Sequence, residues 1–267
     1  MRPMRDLVRL ALAVNQAWLA LASEVFEADG AVFVRNPAYP SIRDANHVAR
    51  VRARTPEDID TLLARVEREF AGFPHRAYQL DLDTPSEFEA RLALEGYRHD
   101  DALVMLLEGG LSASPMPCDI RLVDGDAAWA AYRALQAIDW ADYRARLGVE
   151  EEPAVGDAMF MSRRAKSPPV RAWLAYVEDE PRAFLSSWEG TDRVGQVEDL
   201  FTHPDFRHRG LATSLIDHCV AGARAHGAGP VVIVADPTDT PMRMYAAMGF
   251  RPVAVKRAWR KEIEIGA

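Results

Sequence analysis

Residues 198–213 read Glu198-Asp-Leu-Phe-Thr-His-Pro-Asp-Phe-Arg-His-Arg-Gly-Leu-Ala-Thr213. They begin inside a strand-like run, Val194 to Thr202, turn at His203-Pro204, and pass into Leu211 to His226, whose apolar residues recur at helical spacing. A turn that leaves a strand and opens a helix has a physical use. The first N–H groups of a helix lack an internal partner and sit at the positive end of its dipole, so they bind phosphate oxygens. Gly210 lets a pyrophosphate approach the backbone, Ala212 keeps the next position small, and Arg207 and Arg209 bring positive charge. A surface turn carrying two solvated arginines would use the same residues. The placement between strand and helix, and a second motif that answers it downstream, favour the phosphate reading.

The second motif, Met244-Tyr-Ala-Ala-Met-Gly-Phe250, closes a short helix expected from Pro241 to Met248, and 39 positions separate Gly210 from Gly249. Arg207-x-x-Gly210-x-Ala212, with Pro204 upstream and Tyr245-x-x-x-Gly249-Phe250 downstream, resembles the GNAT superfamily of acetyl-CoA-dependent N-acetyltransferases. The match runs from about Asp119 to Ile265. The resemblance implies acetyl-CoA as co-substrate, with no metal. It implies that backbone groups of Leu200, Phe201 and Thr202 hold the pantetheine arm. It implies also that N–H groups of His208, Arg209, Gly210, Leu211, Ala212 and Thr213, with Arg207, hold the pyrophosphate.

Attack of an amine on a thioester expels a thiolate that must be protonated, and a phenol near the sulfur can do this. Family members often use a tyrosine at the position of Tyr245; packing against the core is its other use. The amine must also lose a proton. Glu198 is the first candidate for that base and Asp199 the second, because strand alternation leaves open which of them faces the cleft. His203 and His208 read as solvated or capping groups of the turn. One departure stands out. Many members carry an asparagine after the penultimate strand, whereas this chain has Ala235-Asp-Pro-Thr-Asp-Thr240, where Asp236, Thr238 or Asp239 either substitutes or caps the next helix.

Further out, strands alternate with helices, and a hairpin at Glu178-Asp-Glu-Pro181 between Val170–Val177 and Arg182–Trp188 makes the sheet mixed. The fold class is α/β (α+β), a GNAT-like mixed central sheet flanked by helices. Helices are expected at Ala127–Ile138 and Pro153–Ala165, and one extended run from Phe250 to Ile265. Gly109-Gly110 and Ser112-Ala-Ser-Pro-Met-Pro117 mark a linker, which divides the chain into residues 1–110 and 118–267. In the first part Asp6 to Ala28 reads as one helix and Thr55-Pro-Glu-Asp58 as a capped helix start, with Tyr97 to Glu108 as a strand.

Pro56 to Arg98 repeats the order of Gly210 to Arg251: helix, strand, short helix, then Gly-Tyr-Arg98 against Gly-Phe-Arg251. Leu92 stands where the later copy has Tyr245, and nothing before Pro56 resembles the phosphate motif. The first part therefore reads as a degenerate GNAT-like copy, or as an unrelated accessory α/β domain.

A net charge of −8 argues against nucleic acid as partner. Two cysteines make no disulfide framework, and no Cys/His cluster has zinc spacing. No apolar run reaches the length of a membrane span, and Asp6 and Asn15-Gln16 interrupt the N-terminal stretch that might pass for a signal peptide. The chain thus reads as cytoplasmic, free of membrane, with a homodimer left open. The acidic and aromatic stretch Asp139-Trp-Ala-Asp142, with Glu150-Glu-Glu152, suits a cationic small-molecule amine as acceptor, although a solvated helix face explains it equally well. The expected function is direct acetyl transfer to that amine; the alternative is a non-catalytic acyl-CoA-binding or sensor protein.

Overall fold

A computed structural model describes residues 4–148, 153–237 and 241–264. In the first half the elements are α1 (Met4–Ala20), β1 (Glu24–Ala28), β2 (Ala31–Arg35), β3 (His47–Ala49), α2 (Pro56–Glu69), β4 (His75–Gln79), α3 (Ser86–Leu94), β5 (Arg98–His99) and β6 (Ala102–Leu107). The second half adds β7 (Asp119–Leu122), α4 (Gly125–Leu147), α5 (Pro153–Ala165), β8 (Arg171–Val177), β9 (Glu180–Thr191), β10 (Val194–Thr202), α6 (Leu211–Ala225), β11 (Val231–Ala235), α7 (Pro241–Ala247), β12 (Arg251–Lys256) and β13 (Ala258–Glu262). No helix among the described residues is long and apolar enough to cross a membrane.

Two mixed sheets result. One has the order β1-β2-β3-β4-β13-β5 and the other β12-β6-β11-β10-β9-β8-β7. The same pairing sequence builds both. β1 and β2 form an antiparallel hairpin, β2 and β3 are antiparallel, and β3 runs parallel to β4 after a crossover through α2. Likewise β8, β9 and β10 are antiparallel in turn, and β10 runs parallel to β11 after a crossover through α6. Each half then parts its last two strands. β5 lies in the six-stranded sheet and β6 in the seven-stranded one, whereas β12 lies in the seven-stranded sheet and β13 in the six-stranded one.

The two compact units consequently interleave along the chain. One comprises residues 1–104, 236–238 and 254–267, and the other residues 105–235 and 239–253. This differs from a single cut at the Gly/Ser/Pro-rich linker, because a linker marks where the chain is irregular and not which sheet the neighbouring strands join.

Local chemistry explains the elements, including those the sequence reading missed. Thr55 caps α2 by accepting the Asp58 N–H on its hydroxyl at 3.2 Å. The helix expected through Ala28 instead stops at Ala20. Residues 24–28 fold back on 31–35 through Asp29-Gly30, whose φ values of 47° and 74° are both positive, as a two-residue hairpin turn of the primed type requires. α4 runs past Ile138 to Leu147 because nothing breaks it before Gly148, which ends it in the left-handed conformation at φ 63°. The run from Phe250 breaks between β12 and β13 at Arg257, whose carbonyl accepts the Leu80 N–H at 2.9 Å. The run from Tyr97 breaks between β5 and β6, where the Asp101 carboxylate accepts the Ala258 N–H at 3.1 Å.

Each unit has its own core. In the first, Phe33, Leu62, Tyr78, Phe88 and Leu92 are fully buried. In the second, Trp129 and Tyr132 of α4 and Phe160 of α5 pack on Leu174, Phe184 and Phe201 of the sheet, which fixes α4 and α5 over one face of β9 and β10.

Candidate active site

The site lies in the second unit, around β10. β10 pairs with β11 at Gly195↔Val231 and Gln196↔Val232 and, among the described residues, no further along. The cause is visible on its other edge. Glu198 stands opposite Ser186 and Phe201 opposite Phe184, so β10 uses one residue more than β9 over the same span. This bulge places Asp199 at φ 60°, a conformation that costs a residue with a Cβ about 1–2 kcal/mol. The strand bends there and leaves β11.

Glu198 reaches into the resulting gap. Its carboxylate accepts the Val234 N–H of β11 at 3.2 Å and the Gln196 side-chain amide at 2.9 Å. Asp199 turns instead toward α5 and pairs with Arg163 at 2.8 Å. The bulge thus settles what alternation left open: the two carboxylates point to different partners on different elements. Phe201 is buried in the core, while Leu200 and Thr202 are half-buried beside the gap.

Beyond the strand, His203 accepts the Asp205 N–H on Nδ1 at 3.3 Å and so caps the single 3₁₀ turn at Pro204–Phe206. This matches its reading as a capping group. His208, at φ 60°, and Gly210, at φ 81°, swing the chain into α6. The Ser214 N–H to Gly210 carbonyl bond, 3.0 Å, is the first rung of that helix, so the N–H groups of Leu211, Ala212 and Thr213 precede it. This is the donor set a pyrophosphate requires, and the residues present fit such a group. The arginines are otherwise engaged. Arg207 donates to the Thr202 carbonyl at 3.2 Å and to Asp142 of α4 at 2.8 Å, and Arg209 lies over the Phe206 ring at 4.8 Å.

Tyr245 sits on α7 with its ring buried, 6.2 Å from the ring of Phe250. Asp236 is exposed, whereas Thr238, Asp239, Thr240 and Glu150-Glu-Glu152 lie outside the described residues.

Two features escaped the sequence. The linker is not a bare spacer. Met116 packs on Gly210, with its sulfur 3.0 Å from where a Cβ would stand, and its backbone N–H donates to the Ser214 hydroxyl at 3.1 Å. A Cβ on Gly249 would meet the Ser112 hydroxyl at 3.0 Å, so both motif glycines face the linker. The second feature is a polar cluster between α4, α5 and β10. Asp142 is shared by Arg207 at 2.8 Å and Arg146 at 3.6 Å, Asp199 is taken by Arg163, and Asp139 stands outside these pairs. Burial, and secondarily the Asp199 charge, pushes the Asp139 carboxyl up to about 6 against the pull of Arg163. Tyr132, fully buried beside Arg163 and Asp199, has its phenol pushed up mainly by burial. No spacing rule in the sequence joins α4, α5 and a strand bulge.

Residues 132–250 match the model of the acetyltransferase (GNAT) family. No curated protein sequence matches the chain. Among solved structures, a GCN5-related N-acetyltransferase from Kribbella flavida is similar at 16% identity over 96% of each chain, with a TM-score of 0.68. A functionally unknown conserved protein from Staphylococcus epidermidis ATCC 12228 is similar at 15% identity over 90% of this chain and 94% of that one, with a TM-score of 0.66. A tandem GNAT protein from the clavulanic acid biosynthesis pathway is similar at 14% identity over 81% of this chain and 73% of that one, with a TM-score of 0.55. At such identities the likeness is one of fold, and it extends over both sheets. Motif, family match and fold agree: residues 132–250 of this chain form an acetyltransferase domain of the GNAT family.

Proposed function

We propose that this chain transfers an acetyl group from acetyl-CoA directly to a primary amine of a small molecule. The observation that carries the reading is the bulge at Asp199, which parts β10 from β11 and leads along the same strand into the N-terminus of α6 at Gly210. An acetyl thioester supplies an electrophilic carbon. The amine nitrogen forms its bond to that carbon as the carbon–sulfur bond breaks. Glu198, whose carboxylate lies in the gap, takes the proton that the nitrogen loses as the amide forms, and Tyr245 protonates the departing thiolate. Backbone groups of Leu200, Phe201 and Thr202 bind the pantetheine arm, and those of His208 to Thr213 bind the pyrophosphate. The acidic, aromatic end of α4, Asp139 to Tyr143, supports a cationic acceptor.

The first unit shares the pairing order of the second but has Leu92, fully buried, at the place of Tyr245. We read it as a degenerate copy that carries no chemistry.

Calorimetric titration with acetyl-CoA, then thiol release against a panel of amines, tests the proposal on wild type and Gly210→Glu. Binding that the variant loses, with release for some amine, supports acetyl transfer. No binding by wild type overturns it. Binding without release for any amine points to an acyl-CoA sensor.

A further inference from the structure

One stripe of α4 carries Tyr132, Gln136 and Asp139, at steps of four and three residues that place them on the same face. Among the described residues the amide oxygen of Gln136, on a side chain 3% exposed, is buried with no group in hydrogen-bond reach, and the hydroxyl of Tyr132, on a side chain 0% exposed, has only the Ser186 hydroxyl near it. Leaving such groups unmatched costs about 1–3 kcal/mol each, so a protein retains them where a ligand or water completes them. Asp139, next along the stripe and half-buried, stands outside the ion pairs of its cluster. One helix face therefore carries three oxygen-bearing side chains: a carboxylate, an amide carbonyl and a phenol. An alkylammonium offers three N–H donors and no acceptor, which is the complement of that set. The stripe abuts the Asp199–Arg163 pair, one residue along β10 from Glu198.

The same end of α4 provides a wall for the carbon body of such a ligand. Trp140 and Tyr143 stack with ring centres 5.4 Å apart, and the indole lies against Gly156 of α5, where a Cβ would stand 3.0 Å from it.

We propose that Tyr132, Gln136 and Asp139 form the seat of the acceptor's ammonium group, and that Asp139 takes its first proton. This rests on the acetyl-transfer reading above and deepens it. An ammonium acceptor must lose two protons from nitrogen to become an amide. The first passes to an Asp139 oxygen and frees the lone pair that attacks the thioester carbon. The second is lost as the carbon–sulfur bond breaks, to Glu198, while the thiolate sulfur gains one from Tyr245. The acceptor class is a primary alkylamine with an apolar or aromatic body and its amine unhindered.

The groups facing Asp139 set its working range. They are Arg163 from α5, Asp199 from β10, and Arg146 and Asp142 from its own helix, and its carboxyl titrates at about 6. Amine-dependent kcat/KM should therefore rise with pH through about 6.

The test compares wild type, Asp139→Asn, Asp139→Glu and Tyr132→Phe by acetyl-CoA calorimetry and by thiol release with the amine panel from pH 5 to 10. The expected result is unchanged acetyl-CoA affinity in all four. Asp139→Asn loses about 100-fold in amine kcat/KM at pH 7. The loss shrinks toward pH 10, where the amine arrives already neutral, and the inflection near pH 6 disappears. Asp139→Glu restores part of the rate, and Tyr132→Phe raises the amine KM several-fold. A uniform loss at every pH, or a wild-type profile in Asp139→Asn, overturns the Asp139 assignment and leaves acetyl transfer intact. Acetyl-CoA that fails to bind wild type, or binds with no amine turned over, overturns both.

Discussion

The Glu198 carboxylate accepts the Val234 N–H across the gap between β10 and β11, at 3.2 Å. A side chain thus replaces the backbone partner that a continuous parallel ladder would have supplied, and it does so where the bulge at Asp199 sends β10 away. The bond holds one carboxylate oxygen and orients the other, so structure and chemistry are separable at this residue.

Glu198→Gln keeps an oxygen for the Val234 N–H and removes the basic function. We expect the variant to melt within a few degrees of wild type while amine-dependent thiol release falls about 100-fold. Glu198→Ala leaves the Val234 N–H unmatched and should cost a further 1–3 kcal/mol or so of stability in urea unfolding. Full activity in Glu198→Gln would remove Glu198 from the chemistry.

Gly210 is glycine for two reasons that can be measured apart. Its φ of 81° is strained for any L side chain, and a Cβ there would stand 3.0 Å from the Met116 sulfur. Gly210→Ala should destabilise by about 1–2 kcal/mol from the backbone term alone. The double variant Gly210→Ala, Met116→Ala relieves the steric part only. Urea titration of the two singles and the double should therefore show favourable coupling between the sites, with the backbone penalty still present. Complete rescue in the double variant would mean that the conformation at 210 carries no strain.

A fragment spanning residues 118–267, the natural choice if the linker were a domain boundary, should fold poorly. It lacks β6, which lies between β11 and β12 in the seven-stranded sheet, and so exposes two strand edges. Its β13 is left without β4 and β5, the neighbours it has in the six-stranded sheet. Far-ultraviolet circular dichroism and size-exclusion chromatography should find the fragment aggregated or partly unfolded. A soluble, monomeric fragment with a cooperative melt would count against the strand exchange.

That expectation marks where the sequence stops being informative. The helix and strand order of the second half was legible because most segments carry their own punctuation, such as Gly210 before α6 and Pro241 at the start of α7. The motif at 207–212 was legible because its function is local: a turn, a glycine and a helix start lie within six residues. The hairpin at Asp29-Gly30 carries a local signal, since Asp-Gly favours a two-residue turn, but the apolar, breaker-free run before it has the composition of a helix. The destination of β6 and β13 could not be read. β6 is short and apolar and β13, Ala258 to Glu262, is short and largely charged, and in neither case does the pattern of buried faces say which sheet is joined. The stripe of Tyr132, Gln136 and Asp139 was hidden for a similar reason. Its meaning depends on the Arg163–Asp199 pair, which exists only because a bulge redirects Asp199.

Two buried groups give the folded chain opposing pH dependences. His47 is fully buried, and burial pushes its pKa down from 6.5 to about 4. Between those values the unfolded chain binds the proton more tightly, so burying this ring costs nothing above pH 6.5 and progressively more stability as pH falls toward 4. Asp139 acts in the opposite sense. Its carboxyl is raised from 3.8 to about 6, so the folded chain binds the proton more tightly, and burying this group costs nothing below pH 3.8 and progressively more stability as pH rises through 6. At about 1.4 kcal/mol per pKa unit each amounts to roughly 3 kcal/mol at most, and over pH 4–6 they largely cancel. His47→Leu removes the first term. Relative to wild type its stability should gain most at pH 4 and least at pH 7. Asp139→Asn removes the second, and its gain should be largest at pH 7 and smallest at pH 4. Urea midpoints for the three proteins at pH 4, 5, 6 and 7 give both differences directly, with the contributions of all other carboxylates subtracted out. Parallel curves for wild type and either variant would show that the corresponding side chain is not held in the protonation state its burial dictates.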